Sequence, residues 1–471
     1  MALKVAVVGS GPAGFYAAEA LLGAGRPIEV DLLERLPVPF GLVRYGVAPD
    51  HPKLKAVATE FERIAGLPGF AWHGNVEVGR DVGIAELREL YHAVIVACGC
   101  DDEQTLGIPG EDLPGVHGAR AFVGWYNGHP DFADRDYDLS CEDACIVGHG
   151  NVAIDICRIL AKPLAELAST DISRAALATL AGRGLRRIHL IGRRGPVQAS
   201  FTPRELRELE TLDGWQVYAP DLQDGGLVDP GSFEPGSFEP GSVDLGGLDA
   251  ASATRVRKNL ETLARWQAPP PAGARVIVLH FLLAPTQLEG DAAVTGLRVE
   301  HQHLVGDPPR AVGAGVFAHI PCQAVFRSIG YRGRPIAGLP WDARRGVLPN
   351  RDGRLLDEAG DALPGLYASG WIKRGANGII GTNRADSIAT VASLLADFGG
   401  TLPAVDGRAG LLARLQQRGC RTVDFAGWAR IGERERLRGA AIGARACKFL
   451  KIDEMLAAVD ALQAGHGSLP G

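Results

Sequence analysis

Apolar and polar positions alternate along the chain in blocks that predict an α/β fold. Residues 4–8 are continuously apolar, as expected of a parallel strand covered on both faces. Residues 12–24 set Ala17, Ala18, Leu21 and Leu22 on one helical face. A second strand over 28–33 ends at Glu34, completing a β-α-β unit. Tyr91–Gly99 reads as another buried strand. The design repeats from Ala144-Cys145-Ile146-Val147, with Val152, Ile156 and Ile159 on one helical face and a strand over 188–191. The interval 162–184 is long enough to extend that helix or to add another. Residues 275–284 and 294–300 resemble strands of a meander. Two further strand ends, 328–331 and 365–370, return to the first unit. A helix is expected from about Ala385 to Ala396, with Thr382 or Asn383 as its N-cap and Asp386 in its first turn. Apolar spacing at 410–418 and 452–463 suits helices packed on that unit.

Each β-α-β unit carries a glycine turn. The first is Gly9-Ser10-Gly11-Pro12-Ala13-Gly14. Gly9 permits a tight turn, Gly11 lets backbone approach a pyrophosphate, and Gly14 lets helix and strand pack closely. The helix N-terminus favours the phosphate charge. The second is Gly148-His149-Gly150-Asn151-Val152-Ala153, with alanine in the third position. The two turns lead to different side chains. Glu34 is an acid suited to a free ribose, whereas Arg193-Arg194 suit a ribose bearing a 2′-phosphate. One chain with both sites can hold two dinucleotides, which outlines a flavin enzyme fed by NADPH.

At 471 residues, two or three domains are expected. No apolar run is long enough to span a membrane. The chain opens directly into the first strand, which predicts a cytoplasmic protein. The net charge of −6 speaks against a general nucleic-acid binder. Arginines nevertheless crowd between Arg183 and Arg207, a surface on which an acidic protein could dock. The 8 cysteines contain no Cys-x-x-Cys pair, and none precedes Cys98. No metal site is expected, and a disulfide reductase of the glutathione-reductase type lacks its dithiol here. The PGSFE repeat over 230–242 reads as an irregular insertion.

Longer blocks are more specific than glycine patterns: PVPFGLVRYGVAPDHPKLK (37–55), ARAFVGWYNGHPD (119–131), GHGNVAIDICRIL (148–160), GRRGPVQASFTPRELREL (192–209) and GWIKRGANGIIGTNRADS (370–387). In these the chain resembles ferredoxin–NADP(+) reductases of the adrenodoxin-reductase type, including bacterial relatives. The resemblance implies two Rossmann-like dinucleotide-binding domains in a glutathione-reductase-like architecture. An NADP domain (105–328) is inserted in an FAD domain split into 1–104 and 329–471, the latter with a C-terminal helical extension. It implies FAD contacts at Ala13, Glu34, Leu42, Val78, Trp371, Gly378, Ile379 and Ile380. His149, Gly150, Asn151 and Val152 align with the NADP pyrophosphate turn, and Arg193 and Arg194 with the 2′-phosphate clamp. Glu205 and Gly378 align beside the nicotinamide, and His51 near the flavin. The implied reaction is NADPH oxidation with single electrons passed to an acidic ferredoxin-like iron–sulfur protein. That partner would dock on Arg207, Arg255, Arg257 and Lys258 of a monomer. Other readings are a glutamate-synthase small-subunit-like flavoprotein, a monooxygenase, or a nucleotide-responsive interaction protein. Ala376-Asn377 replaces a proline common in the family and is expected to loosen its turn. Asn259 stands where some members are basic, which bears on partner docking.

Overall fold

The computed structural model describes residues 1–220 and 245–460. The PGSFE repeat and the end of the helix expected over 452–463 lie outside the described residues. Two compact units form. The first comprises Met1–Asp102, Asn127–Ala133 and the described part of Gly330–Gly471, and the second Glu103–Tyr126 and the described part of Asp134–Ile329.

In the first unit, Leu3–Val8 is the middle one of the five parallel strands in a seven-stranded sheet. Parallel neighbours are Ile28–Glu34 and then Phe70–Gly74 on one side, and Ala93–Val96 and then Ala362–Ala368 on the other. Arg354–Leu356 and Asn350–Arg351 complete the sheet as antiparallel strands. The apolar run is buried on both faces because helices and loops cover each: Val5 and Val7 join one core cluster, Ala6 and Val8 the other. Helix Pro12–Leu22 buries Phe15, Ala17, Ala18 and Leu21, with Phe15 stacked on Phe61 at 4.9 Å between ring centroids. Residues 127–133, assigned from sequence to the inserted domain, belong to this unit. Lys55 and Lys448 donate to the side-chain and backbone oxygens of Asn127 at 3.1 and 3.0 Å, and Asp131 pairs with Arg35.

The second unit has a six-stranded sheet in the order Val116–Gly118, Ala324–Arg327, Asp143–Val147, Arg187–Ile191, Arg275–His280 and Trp215–Tyr218, parallel throughout. A separate antiparallel meander comprises Leu283–Glu289, Gly296–Val305 and Arg310–Pro321. The apolar run 275–284 is therefore not one meander strand. Arg275–His280 is interior to the parallel sheet, and the chain bends at Leu282, whose φ of +56° lies in the left-handed region, before the meander starts. Residues 162–184 fold as two added helices, Leu164–Ala168 and Arg174–Ala181, the latter capped by Ser173, whose side chain accepts from the Ala176 amide at 3.1 Å.

Candidate functional site

Residues of the first glycine turn divide by what surrounds them. A Cβ on Gly14 would stand 2.0 Å from the Gly9 carbonyl oxygen, and one on Gly9, at φ +107°, 2.7 Å from that of Ala97. Both glycines are required by the fold. Gly11 differs: a Cβ there would meet nothing within 4 Å. Gly11 is also the N-cap of helix Pro12–Leu22 and supplies no side-chain cap. Open space in front of uncapped helix N–H groups fits a pyrophosphate. Glu34 lies at the end of the neighbouring strand. One carboxylate oxygen accepts from the Ser10 amide (3.1 Å) and hydroxyl (2.8 Å), the other from the Leu36 amide (3.2 Å). A carboxylate has acceptor capacity beyond these three bonds, so a ribose hydroxyl still fits. The Phe40 amide donates to the Ser10 carbonyl at 2.9 Å, and a Cβ on Gly41 would stand 3.2 Å from Gly11 Cα; Leu42 comes next, at the start of helix Leu42–Tyr45. His51 is buried at the head of helix Pro52–Lys55, and Val78 bridges to Val82.

The 370–387 block closes on this turn. A Cβ on Gly370 would stand 2.5 Å from that of Ala13, and Ser387 donates to the Ala13 carbonyl at 3.0 Å. The Asp386 carboxylate holds the block together, accepting from the Gly370 amide at 2.5 Å and pairing with Lys373 at 2.9 Å. Lys373 in turn reaches the Thr390 hydroxyl at 3.0 Å. In the sequence Asp386 signals only a first-turn acid; its partners come from the fold. The turn after Gly375 is not loosened by Ala376-Asn377. The Asn377 amide donates to the Gly375 carbonyl at 2.9 Å, its side chain donates to that of Arg374 at 3.3 Å, and its own carbonyl accepts from the Trp371 indole at 3.0 Å.

The helix expected from Ala385 begins at Ile380 and runs to Asp397, with Ile379 at the N-cap and no side-chain cap. Thr382 and Asn383 do not cap it. Both donate back to the Ile379 carbonyl, at 2.5 and 3.3 Å, and the Asn383 oxygen accepts from Arg374 at 3.1 Å. Gly378, at φ +82°, and Ile379, 65% exposed, thus lead into another uncapped helix start in this unit.

The second glycine turn, in the other unit, repeats the logic. A Cβ on Gly148, at φ +132°, would stand 2.1 Å from the Ser328 carbonyl oxygen, whereas one on Gly150 would meet Ser200 Oγ only at 3.4 Å. Helix Asn151–Ala161, with Val152 in its first turn, starts at Gly150 without a side-chain cap. His149 is wedged into the structure. Its Nε2 lies 3.3 Å from the Leu190 carbonyl, its ring meets Phe281 edge-on at 4.7 Å, and a Cβ on Gly192 would strike its Nδ1 at 2.3 Å. Burial, with a smaller contribution from His280, pushes its pKa down to about 4, so the imidazole is neutral at pH 7. The Asn151 side-chain oxygen accepts from the Thr202 amide at 2.9 Å. Thr202 is the N-cap of Pro203–Glu208, the helix that carries Glu205. Glu205 is buried, and its Oε2 has no hydrogen-bond partner among the described residues. A buried acceptor with no donor fits an amide group of a ligand.

Arg193 and Arg194 come after strand Arg187–Ile191 and are exposed, with no side-chain partner among the described residues. The arginine run, continuous in sequence, forms two patches. Arg187, ion-paired with Asp143, starts that five-residue strand, and Arg193 lies beyond its end. At about 3.3 Å per residue the strand alone separates them by roughly 13 Å. Of the docking residues inferred from sequence, Arg207, Arg257 and Lys258 are exposed. Arg255 donates to the Ala199 carbonyl at 2.8 Å. Asn259 is fully buried and donates to the Phe201 carbonyl at 3.1 Å. It packs helix Ala250–Leu263 against its own unit and offers nothing to a docking surface.

No protein-family model matches the chain. Curated relatives do. NADPH:adrenodoxin oxidoreductase, mitochondrial, of Homo sapiens is 43% identical over 473 aligned positions, covering 96% of this chain and 91% of the relative. NADPH-ferredoxin reductase FprA of Mycobacterium leprae (strain TN) is 40% identical over 98% of both. Among solved structures, FprA of Mycobacterium tuberculosis aligns with a TM-score of 0.88 at 38% identity, over 97% of this chain and 99% of its own. The same protein in complex with NADPH gives 0.87. Identity at this level over nearly the whole length means that the chain belongs to the family of NADPH:adrenodoxin oxidoreductases and NADPH-ferredoxin reductases.

Proposed function

We propose that the protein is an FAD-dependent NADPH:ferredoxin oxidoreductase, which takes a hydride from NADPH and passes single electrons to a ferredoxin- or adrenodoxin-like iron–sulfur protein. The observation that carries this reading is the pair of uncapped glycine turns with different chemistry beyond them, Glu34 after one and Arg193-Arg194 after the other. Bound FAD supplies the exchange between two-electron and one-electron chemistry. The chain supplies positions and charges. FAD belongs to the first unit, held by the Gly11 turn with Ala13, Glu34, Leu42, Val78 and Trp371. The N–H groups opening the Ile380 helix meet an electron-rich edge of the cofactor, with Gly378 and Ile379 leading in. NADPH belongs to the second unit. The amides from Gly150 to Val152 face its pyrophosphate, His149 wedges the turn in place, and Arg193 and Arg194 grip its 2′-phosphate. The orphaned Glu205 oxygen accepts from the nicotinamide carboxamide. His51 lies on the flavin side, where it tunes proton balance.

The iron–sulfur partner docks as an acidic protein on Arg207, Arg257 and Lys258, with Arg255 bracing that surface through Ala199. No helix among the described residues is long and apolar enough to cross a membrane. A cytoplasmic monomer is part of the proposal, and light scattering on the purified protein tests the monomer. The functional test mixes the FAD-loaded protein with NADPH and a series of low-potential ferredoxins and tracks cytochrome c reduction. Stimulation by an acidic ferredoxin is expected. Absence of stimulation by every member of the series would overturn the partner class.

A further inference from the structure

Two cations follow one another in the 370–387 block, and the fold treats them differently. Lys373 is neutralised by Asp386, which pairs with it at 2.9 Å. Arg374 has no carboxylate partner among the described residues. Its Nη2 donates to the Asn383 side-chain oxygen at 3.1 Å, and its Nη1 is enclosed without a hydrogen-bond partner among the described residues. Arg384, further along the block, pairs with Glu19 at 3.0 Å. A guanidinium keeps its charge across the pH range of a folded protein. An enclosed donor left without an acceptor is a cost to the ligand-free fold.

Neighbours fix the place of this charge. A Cβ on Gly370 would stand 2.5 Å from that of Ala13 and 3.5 Å from the Asn383 oxygen that Arg374 reaches. The guanidinium is thus tied to the first turn of helix Ile380–Asp397, beside the first glycine turn. Burial pushes the Cys100 thiol up to about 12, Asp101 adds to the rise and Arg374 opposes it, so the field of Arg374 reaches the residues after strand Ala93–Val96. Asp101 itself faces Arg334 at 3.8 Å. Asn383 carries the polarity onward. Its Nδ2 donates to the Ile379 and Ile380 carbonyls, both at 3.3 Å. Those carbonyls are occupied, and the open N–H groups of the helix start add to the positive sign of Arg374.

We infer that, with FAD in the first unit as proposed, Arg374 is the fixed positive charge that biases this site toward the reduced cofactor. A hydride brings two electrons and one proton, so the reduced cofactor carries one more negative charge than the oxidised one. A largely enclosed cation without a counter-ion favours the more negative form, because little solvent intervenes to screen it. Lys373, already paired with Asp386, supplies no comparable bias. Arg374 acts through its charge and through Asn383. It is a positioning residue and takes no part in the transfer itself.

The test compares the full-length, FAD-loaded wild type with Arg374→Gln and Arg374→Lys. Each protein is reduced slowly together with a reference dye, and the reduced-to-oxidised ratio of the flavin is read against that of the dye. The wild-type absorption spectrum reports FAD binding separately, so a failure of the cofactor reading is distinct from a failure of the role of Arg374. At a fixed dye ratio, Arg374→Gln should lower the flavin ratio about tenfold, a midpoint lower by about 30 mV for a two-electron couple. Arg374→Lys keeps the charge and should stay within about threefold of the wild type. If Arg374→Gln binds FAD too weakly to be isolated loaded, its apoprotein is titrated with oxidised and with dithionite-reduced FAD. By linkage the reduced form should then lose about tenfold more affinity than the oxidised form. Equal losses for the two forms, equal dye ratios for wild type and Arg374→Gln, or a lysine variant that falls as far as the glutamine one would overturn the role of charge. A wild-type dye ratio with faster release of FAD from Arg374→Gln would overturn it in favour of a structural clamp through Asn383.

Discussion

The Asn151 side-chain oxygen accepts from the Thr202 amide at 2.9 Å, and so the first residue of one helix fixes the start of another. The first helix opens at the second glycine turn, and the second carries the buried Glu205. Asn151→Ala leaves the Thr202 amide without its acceptor, a loss of about 1–3 kcal/mol. We expect a lower melting temperature for the ligand-free protein and a higher KM for NADPH, with FAD content unchanged. Calorimetry and steady-state kinetics measure both; an unaltered melting temperature would show that the bond does not hold the helix.

Glycines within one turn should fail differently. Gly14→Ala places a methyl group against the Gly9 carbonyl and should destabilise the protein by at least about 1–3 kcal/mol whether or not FAD is bound. Gly11→Ala places it in open space. The apoprotein should keep its stability to within about 1 kcal/mol and lose FAD affinity. Denaturant melts of apoprotein and holoprotein, read beside flavin fluorescence, separate the two cases.

The coenzyme preference should reside in two exposed side chains. Arg193→Ala and Arg194→Ala each remove charge-assisted bonds to a phosphate. We expect kcat/KM for NADPH to fall about 10- to 100-fold, with NADH little changed. Equal losses with both coenzymes would contradict a 2′-phosphate clamp.

Asp386 ties Gly370 and Lys373 to helix Ile380–Asp397, whose start is proposed to meet FAD. Asp386→Ala should lower FAD retention on dialysis and shift the flavin absorption band, because the Gly370–Lys373 segment loses its anchor. An unchanged spectrum and retention would restrict Asp386 to a role in general stability.

Acid should unfold the second unit early. Burial is the largest cause holding His117 and His149 at about 4 and His189 at about 3, below the ordinary value near 6.5. Between those values the unfolded chain binds protons that the folded unit does not, so stability falls as pH drops from about 6.5 towards 4. Melting temperatures measured across that range should decline, and His189→Gln should flatten the decline.

Local features were the legible ones in the sequence. A glycine turn is fixed by a strand, a few residues and a helix, so the close packing at Gly9, Gly14 and Gly148 can be read from the chain alone. Features that depend on distant residues could not be read that way. Thr382 and Asn383 look like caps, yet the helix starts ahead of them because their side chains bond backward to Ile379 and Arg374. Asn259 sits among docking residues in the sequence; only the packing of its helix turns it towards Phe201. The arginine run looks continuous because sequence spacing does not register that a strand carries the chain from one end of the sheet to the other. The 275–284 run hides a bend at Leu282 for the same reason, since the apolar pattern continues through it.

The helices at Pro12, Asn151 and Ile380 each begin just after a glycine-bearing turn and, like several others among the described residues, without a side-chain cap. On the proposed reading, the phosphates and the flavin complete these three starts. A dinucleotide at such a start is then a structural part of the protein as well as a reagent, and loading it shifts the folding equilibrium by mass action. In a cell this ties the protein's lifetime to its cofactor supply. A shortage of flavin would register first as faster degradation of the chain and only then as slower electron flow.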